Sequence, residues 1–335
     1  MDAARSIAEA VLYEGYILWP YRRSAIKNRQ RWTFGGVYPR AYSEARGGTD
    51  PWLMQTQCLI TGDEATTIEA RVRFLHVTER KVGEKRGGAL EFVEELRVGQ
   101  ELYLPWDEAT EREIALGPLT LGELESPMHT GLDIPGGSSE QTLTEAGGEA
   151  AGAIVRCWSA LCGTVEMEAE PLASGVFRVT AGITNTTPWT GDDREEALRH
   201  TLVSTHTVLS ARGGEFVSMT GPPEDLREIA QGCENVKTWP VLVGEEGQKD
   251  TMLSAPIILY DYPRIAPESP GDLFDGTEID QLLVLNILTL TDEEKEEMRA
   301  SDPRAREILE RCESLSREEL MNLHGAIREF RTPRD

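Results

Sequence analysis

The sequence is poor in cysteine, poor in basic residues relative to acids, and without any long apolar run. Its five cysteines are scattered and odd in number, which disfavours a disulfide framework and is typical of reduced thiols. No segment approaches the roughly 18 apolar residues of a membrane helix, and the N-terminus lacks the pattern of a signal peptide. We therefore expect a cytoplasmic protein without a membrane span.

The common catalytic and cofactor motifs are also missing, including the nucleophile elbow, the Walker loop, the dinucleotide-binding glycines and the zinc-protease motif. Cys157 and Cys162 have no second ligand pair nearby, which a zinc site requires. His200 and His206, six residues apart on one predicted strand, lie too far apart to share a metal. The sequence predicts no cofactor and no metal site. It leaves the question of catalysis open but favours a non-catalytic protein.

The chain has 34 basic and 58 acidic residues, a net charge of −24, yet one stretch departs from this balance. Between residues 13 and 52, called here the basic aromatic segment, nine aromatic residues occur, and seven basic residues stand against the single acid Glu44 from residue 22 to residue 46. Such a segment is explained either by core aromatics whose arginines pair with the chain's own acids, or by a docking surface rich in hot-spot residue types. A phosphate or ligand pocket is a weaker alternative. Nucleic acid is the weakest, because the acidic body repels phosphates.

The candidate partner-binding residues all lie in this segment: Arg22, Arg23, Lys27, Arg29, Arg31, Trp32, Tyr38 and Arg40. An acidic loop further along is their natural counterpart, with Asp272, Asp275, Glu278 and Asp280 as its carboxylates. The loop lacks the ligand spacing of a calcium site. We therefore predict that it pairs with the arginines or is solvated.

The fold class predicted from the patterns is mainly β (α+β), with a β-sandwich-like body, an N-terminal helix and a C-terminal helical tail. Ile68, Ala70, Val72 and Phe74 alternate with charged residues, as in a half-buried strand. We divide the chain into residues 1–130 (N-terminal helix, basic aromatic segment and first β unit), a glycine-rich loop or linker at 131–152, a second β unit at 153–290, and the tail at 291–335. The prediction thus includes a body made of two packed β units as one alternative.

Helix-start signals occur in the tail, where Thr291 and Glu294 match a capping box and Asp302 precedes Pro303. A second capping box is expected at residues 316–319. The apolar runs 255–262 and 281–290 are interpreted as central strands.

Five of the seven tryptophans adjoin proline, among them Trp106 and Trp189. Adjacent tryptophan and proline residues more often close the ends of a β-sandwich than form a binding platform. Loop tryptophans around a cleft would alternatively indicate a β-sandwich enzyme or a carbohydrate-binding module.

Several stretches together resemble a known family. They are residues 12–16, 20–22, 27–29, 31–35, 38–39 and 55–59, and later 261–264, 272–280 and 288–295. They are similar to uncharacterised conserved proteins encoded beside bacterial uptake nickel–iron hydrogenases. The resemblance spans nearly the whole chain and implies an accessory role, with a hydrogenase subunit or maturation factor as partner. It implies no reaction and no catalytic residues.

Overall fold

The computed structural model describes residues 3–18, 20–29, 31–32, 34–264 and 280–316. These residues contain fifteen strands: β1 (Leu53–Thr61), β2 (Thr67–Arg86), β3 (Ala89–Val93), β4 (Leu96–Val98), β5 (Glu101–Tyr103), β6 (Trp106–Thr120), β7 (Met128–Ile134), β8 (Gly137–Thr144), β9 (Ala150–Trp158), β10 (Leu161–Ala173), β11 (Val176–Asn185), β12 (Val203–Arg212), β13 (Glu215–Phe216), β14 (Trp239–Leu242) and β15 (Thr251–Ala255).

Seven α-helices accompany the strands in the same residues: α1 (Ala3–Tyr13), α2 (Arg40–Ala45), α3 (Arg194–Leu198), α4 (Arg227–Gln231), α5 (Asp280–Leu288), α6 (Asp292–Ser301) and α7 (Pro303–Ser314). Three short 3-10 helices cover Ile26–Arg29, Glu123–Glu125 and Glu224–Leu226. The predicted mainly β fold with an N-terminal helix and C-terminal helices is confirmed. No helix in the described ranges is long and apolar enough to cross a membrane.

Two large antiparallel sheets form the body. The smaller has the order β13-β1-β11-β10-β7, and the larger has the order β14-β15-β12-β2-β9-β8, with β6 and β3 also paired to β2. β4 and β5 form a separate two-stranded sheet.

β2 is the longest strand, and its partners change along its length. On one edge, Thr67–Leu75 pairs with β12 and Glu79–Glu84 pairs with β9. On the other edge, Thr67–Arg80 pairs with β6 and Val82–Arg86 pairs with β3. β2 therefore joins β12 and β9, which are not paired with each other in the described part of the larger sheet.

The main core lies between the two large sheets. Side chains of a strand alternate between its faces, so the apolar residues at every second position of β2 (Ile68, Ala70, Val72 and Phe74) point the same way. All four are buried, and they pack against inward residues of β1, β10 and β11 such as Ile60, Met167 and Val179. The period of two in the sequence is confirmed as the inner face of a sandwich.

A helical layer covers the other face of the larger sheet. Leu75 and Val77 of β2 share a core cluster with residues of α5 and α7, including Leu283 and Ile308. Most aromatic residues of the basic aromatic segment belong to that cluster, namely Tyr13, Tyr16, Tyr21, Trp32, Tyr38 and Tyr42. The segment is therefore a structural layer between sheet and helices. Beside it, α1 packs on β14 and β15 through residues such as Ala8 and Val11.

The cap signals of the C-terminal helices are confirmed where they are described. Thr291 and Glu294 form the reciprocal capping box of α6, and Asp302 caps α7 with Pro303 in the first turn. The second predicted capping box, at 316–319, runs outside the described residues.

Three local predictions were wrong, those for the ranges 131–152, 255–262 and 281–290. The range 131–152, predicted to be a loop or linker, is mostly strand, because it contains the end of β7, all of β8 and the start of β9. The range 281–290, predicted to be a strand, is largely the helix α5, whose buried residues Leu283, Val284 and Ile287 follow helical spacing. The glycines of the range 131–152 and the apolar run of the range 281–290 each fit more than one kind of element. Tertiary packing decided which element formed.

Each of the two large sheets contains strands from both predicted β units. In the smaller sheet β1 pairs with β11 over its whole length, and in the larger one β2 pairs with both β9 and β12. Of the run 255–262, only Ala255 is in a strand.

Candidate functional site

Arg31 lies at the centre of the basic aromatic segment and is buried. Its guanidinium donates to three backbone carbonyls, those of Asn28 (3.2 Å), Tyr16 (3.4 Å) and Asp107 (3.1 Å). The same group lies over two indole rings, 4.3 Å from the centroid of Trp32 and 3.7 Å from that of Trp106. Carbonyl acceptors and aromatic faces thus hold the cation. No carboxylate of the part of the chain that the structure describes forms an ion pair with it.

Arg22 and Arg23 lie beside Arg31 and are also paired within the chain. Arg22 Nη1 is 3.0 Å from Glu294 Oε1 of α6 and 3.8 Å from Glu297 Oε2. Arg23 forms an ion pair with Glu94, in the loop after β3. The two arginines therefore tie the segment to the helical layer and to the β3 region.

The remaining predicted partner-binding residues are divided between core and surface. Trp32 and Tyr38 are buried, and the Tyr38 hydroxyl accepts from Arg194 Nη2 at 2.7 Å. Arg40 is exposed, pairs with Glu44 at 2.7 Å and lies 4.5 Å from the ring centroid of Trp52. Lys27 is exposed. Arg29 ends the 3-10 helix Ile26–Arg29, and its side chain lies outside the described part of the chain.

The predicted acidic loop lies almost entirely outside the described residues. Asp272, Asp275 and Glu278 lie outside the described residues, and Asp280 is the first residue of α5. The carboxylates that pair with Arg22 and Arg23 belong to Glu94, Glu294 and Glu297.

A cleft opens beside this part of the segment, and we call it the charged cleft. Its volume is about 880 Å³, and five basic and five acidic residues line it. The basic residues are Arg23, Arg31, Arg80, Lys81 and Arg199. Two of the eight predicted partner-binding residues, Arg23 and Arg31, thus meet in its wall, and neither Tyr38 nor Arg40 lines it.

Arg80 is a cleft residue that the sequence did not reveal. It is buried, and its Nη2 donates to the carbonyls of Leu104 (2.7 Å), Ala300 (2.8 Å) and Ser301 (2.7 Å), while Nη1 bonds to Glu108 at 2.9 Å. It thereby fixes the end of α6 against β2. The sequence does not indicate this role, because Arg80 lies in a run of charged residues. Their alternation does not show which face of the strand is buried.

Asp302 completes the floor behind the cleft. Its Oδ2 accepts from the Tyr16 hydroxyl at 2.8 Å and from Trp106 Nε1 at 3.1 Å, and its Oδ1 accepts from the Arg304 amide at 2.8 Å. Burial and the neighbouring Asp302 carboxylate raise the pKa of Tyr16 well above its ordinary value. Burial lowers the pKa of Arg31 and of Arg80. The floor is a fixed network of buried polar groups.

Two exposed apolar residues lie next to the charged cleft. Ile26 is 80% exposed and falls between the lining residues Ser24 and Asn28. Phe92 is 59% exposed, and the Nζ of the lining residue Lys81 is 5.8 Å from its ring centroid. The Arg23–Glu94 ion pair connects the two regions. Two exposed apolar side chains thus lie next to residues that line a polar cleft.

Trp106 and Trp189, named as loop platforms in the alternative prediction, do not share this cleft. Trp106 lines it but is buried, with the Arg31 guanidinium over its ring. Trp189 is not in the lining and packs edge-on against Tyr42 and His200.

A second groove of about 880 Å³ lies between α1 and the outer surface of β2 and β12. Its arginines include Arg71, which pairs with Glu69 at 2.8 Å and with Glu113 at 3.3 Å. This arrangement is a surface ladder of ion pairs, each of which stabilises a protein only weakly. Within the described ranges, no three His, Cys, Asp or Glu side chains are placed to share a metal ion.

Comparisons with known proteins do not assign this chain. No protein-family model matches it. No curated protein matches it either. The fold and the cleft define a β-sandwich protein with a helical layer, and the resemblance to hydrogenase-associated proteins stays a prediction.

Proposed function

We propose that this chain is a non-enzymatic accessory or interaction protein of the cytoplasm that binds a protein partner over the charged cleft. The observation that carries the proposal is the pair Ile26 and Phe92, both highly exposed and each next to residues that line a cleft of mixed charge. Apolar and aromatic contacts surrounded by polar groups are the usual composition of a protein interface.

The construction of the cleft floor supports recognition. Arg31 and Arg80 are held by backbone carbonyls, and Asp302 is held by three donors, so these groups are fixed before any partner arrives. A surface that is ordered in advance loses less conformational entropy on binding. The proposed partner therefore presents apolar side chains for Ile26 and Phe92 and charges of both signs for the cleft.

The sequence resemblance supplies a class of partner. A subunit of a nickel–iron hydrogenase, or a factor that matures one, is the partner that we propose on that ground.

The test is a pull-down from the native host with tagged protein, comparing the wild type with Ile26→Glu combined with Phe92→Glu. We expect the double variant to lose the partner, because two carboxylates are placed where apolar contacts form. Ile258→Glu is the matched control, since Ile258 is 76% exposed and follows β15, which β12 separates from β2 in the larger sheet. Retention of every partner by the double variant overturns the proposal.

Arg22 is unsuitable for this test. Reversing its charge would place a third carboxylate beside Glu294 and Glu297 and loosen α6, so lost binding would not distinguish recognition from folding.

One observation favours a second candidate, a carbohydrate-binding module or glycoside hydrolase. Arg199 Nη2 contacts Glu79 at 3.3 Å and Asp107 at 3.5 Å. The two carboxylate oxygens are therefore at most ~7 Å apart, an upper limit that admits the separation of about 5 Å found between the carboxyl groups of retaining glycosidases. A sugar ring stacking on Trp106 would first have to displace Arg31. Binding of an oligosaccharide panel, lost in Glu79→Gln, would support this candidate, and no binding would exclude it.

A further inference from the structure

The second groove, between α1 and the outer surface of β2 and β12, is a cavity apart from the charged cleft. Its volume of about 880 Å³ lies in the range of small-molecule sites. It shares no lining residue with the charged cleft. A ligand of this groove would therefore bind independently of a partner at the charged cleft.

The floor of the groove is the outer face of the larger sheet. The apolar residues of β2 that begin at Ile68 point inward at every second position, so the residues between them point outward. Four of these outward residues line the groove: Thr67, Glu69, Arg71 and Arg73. Their neighbours on β12 in the same lining are Val208, Ser210 and Arg212.

At one end of the floor, carboxylates already meet the arginines. Arg71 Nη2 is 2.8 Å from Glu69 Oε1, and Arg71 Nη1 is 3.3 Å from Glu113 Oε1. Arg73 lies 3.2 Å from Glu111 and 3.8 Å from Glu113. Each guanidinium at this end therefore has its counter-charge within the protein.

Arg212 lies at the other end of the floor, where this pairing stops. It forms no ion pair and no hydrogen bond with any residue in the described ranges. Thr67 is directly opposite Arg212 in the register of β2 and β12, and Ser210 is two positions before Arg212 on the same face. Opposite residues of an antiparallel pair have Cβ atoms about 5 Å apart. The register therefore places all three side chains together on the groove floor.

The hydroxyl groups of Thr67 and Ser210 are available as donors. Neither makes a hydrogen bond within the part of the chain that the structure describes, and both residues are partly exposed in the groove. A guanidinium with a hydroxyl on either side offers several N–H and O–H donors on one face. Such donors bind an anionic oxygen more strongly than a neutral one.

The surroundings distinguish Arg212 from an ordinary solvated arginine. Arg264 is also exposed and has no ion pair in the described ranges, but it lines neither cavity. Four arginines and three carboxylates line the second groove, a net charge of +1, whereas the whole chain carries −24. The groove is thus a locally positive place on an acidic protein, which favours an anion there.

The lining also limits the kind of anion. Asp250 lines the same groove and opposes a ligand of high negative charge. Ala8 of α1, Val208 and Pro118 give the lining an apolar part. A ligand with one anionic group on an organic body matches both features.

We propose that the second groove binds a small organic anion, whose carboxylate or phosphate group is held by Arg212, Ser210 and Thr67. The anionic group gives Arg212 the counter-charge that Glu69 and Glu113 give Arg71 at the other end of the floor. The body of the ligand lies against the apolar part of the lining.

The test is an NMR titration of the ¹⁵N-labelled full chain at pH 7 and constant ionic strength. The probes are butyrate and butyl phosphate, with uncharged 1-butanol as the control ligand. We expect saturable shifts of the Thr67, Ser210 and Arg212 amide signals with a dissociation constant of about 1 mM or tighter, and no saturation with 1-butanol. The anion that binds more tightly identifies the preferred group as carboxylate or phosphate.

Arg212→Met should weaken binding at least about tenfold, because it removes hydrogen bonds to a charged group. Arg264→Met is the matched control and should keep the wild-type affinity. Should the Arg212 variant fail to fold, Thr67→Val, which removes one hydroxyl donor, should weaken binding about threefold or more. The absence of saturable shifts at these amides with both anions overturns the proposal, and so does wild-type affinity in Arg212→Met.

Discussion

The guanidinium carbon of Arg31 lies 3.7 Å from the ring centroid of Trp106, and this contact joins the basic aromatic segment to β6. The two residues are 75 positions apart in the sequence, and neither is exposed. A positive charge in the core of the helical layer is tolerated because carbonyl oxygens and aromatic faces surround it. The role of Arg31 in this position is structural.

Replacing Arg31 by methionine should therefore destabilise the protein. The variant keeps a long side chain but leaves three buried carbonyls without their donor and removes both aromatic contacts. We expect the free energy of unfolding, measured by urea denaturation, to fall by about 3 kcal/mol.

Arg40→Met is the control for this loss, because Arg40 also lies over an indole ring but on the surface. Its cost should stay below about 1 kcal/mol. Equal losses in the two variants would contradict the structural role of Arg31.

Asp302 is expected to be a second stabilising residue. In Asp302→Ala, α7 loses its N-cap and two buried donors, on Tyr16 and Trp106, lose their acceptor. We expect a loss of about 3 kcal/mol in the free energy of unfolding.

The matched control is Asp193→Ala. Asp193 caps α3 by accepting from the Glu196 amide at 2.8 Å, but this contact is exposed, so its loss should cost only about 1 kcal/mol. If Asp302→Ala costs no more than this control, Asp302 acts as a simple helix cap.

The protein should lose stability below neutral pH. Burial is the main cause that lowers the pKa of both His76 and His206 to about 4 in the folded chain. An unfolded histidine binds its proton near pH 6.5, so the unfolded state gains protons first as the pH falls. The contribution is complete above pH 6.5 and is lost as the pH falls towards 4. Between pH 7 and pH 5 we expect a loss of roughly 2 kcal/mol for each histidine.

Urea unfolding at a series of pH values measures this effect. His206→Gln should remove about half of the pH dependence in that interval, and His129→Gln, which changes an exposed residue, should leave it intact. Wild-type stability that is flat from pH 7 to pH 5 would contradict the neutral burial of these two rings.

The cysteines should differ in their reactivity. Cys58 and Cys312 are buried, and burial raises the pKa of Cys312 to about 11. Cys157 and Cys162 are partly exposed. Because the thiolate is the reactive form, an alkylating reagent should modify Cys157 and Cys162 in the folded protein and reach Cys58 and Cys312 only after denaturation. Peptide mass spectrometry of the labelled protein identifies the order, and early labelling of Cys58 would contradict it.

Local patterns in the sequence predicted a large part of the fold. The alternation from Ile68 to Phe74 and the caps at Thr291 and Asp302 each have a short-range physical cause, so they are readable without tertiary information. α5 was mistaken for a strand because an apolar run of its length fits either element.

Only part of the candidate site could be predicted from the sequence, for a different reason. The unusual composition of the basic aromatic segment identified Arg23 and Arg31, which do line the charged cleft. The partners that complete the cleft, such as Arg80 and Glu297, come from distant parts of the chain. A sequence pattern shows that arginines are concentrated in a segment. Long-range packing, which the pattern does not show, buries the Arg31 side chain and leaves the Lys27 side chain exposed.

The change of partners along β2 also determines how the chain should respond to proteolysis. A cut in the turn at residues 145–149 would leave β2 and β6 in one fragment and β9, β11 and β12 in the other. Each fragment would expose strand edges that match only the other fragment, and neither could bury the sandwich core alone. The two pieces of a nicked chain should therefore remain associated and reassemble on mixing, whereas either piece made separately should aggregate.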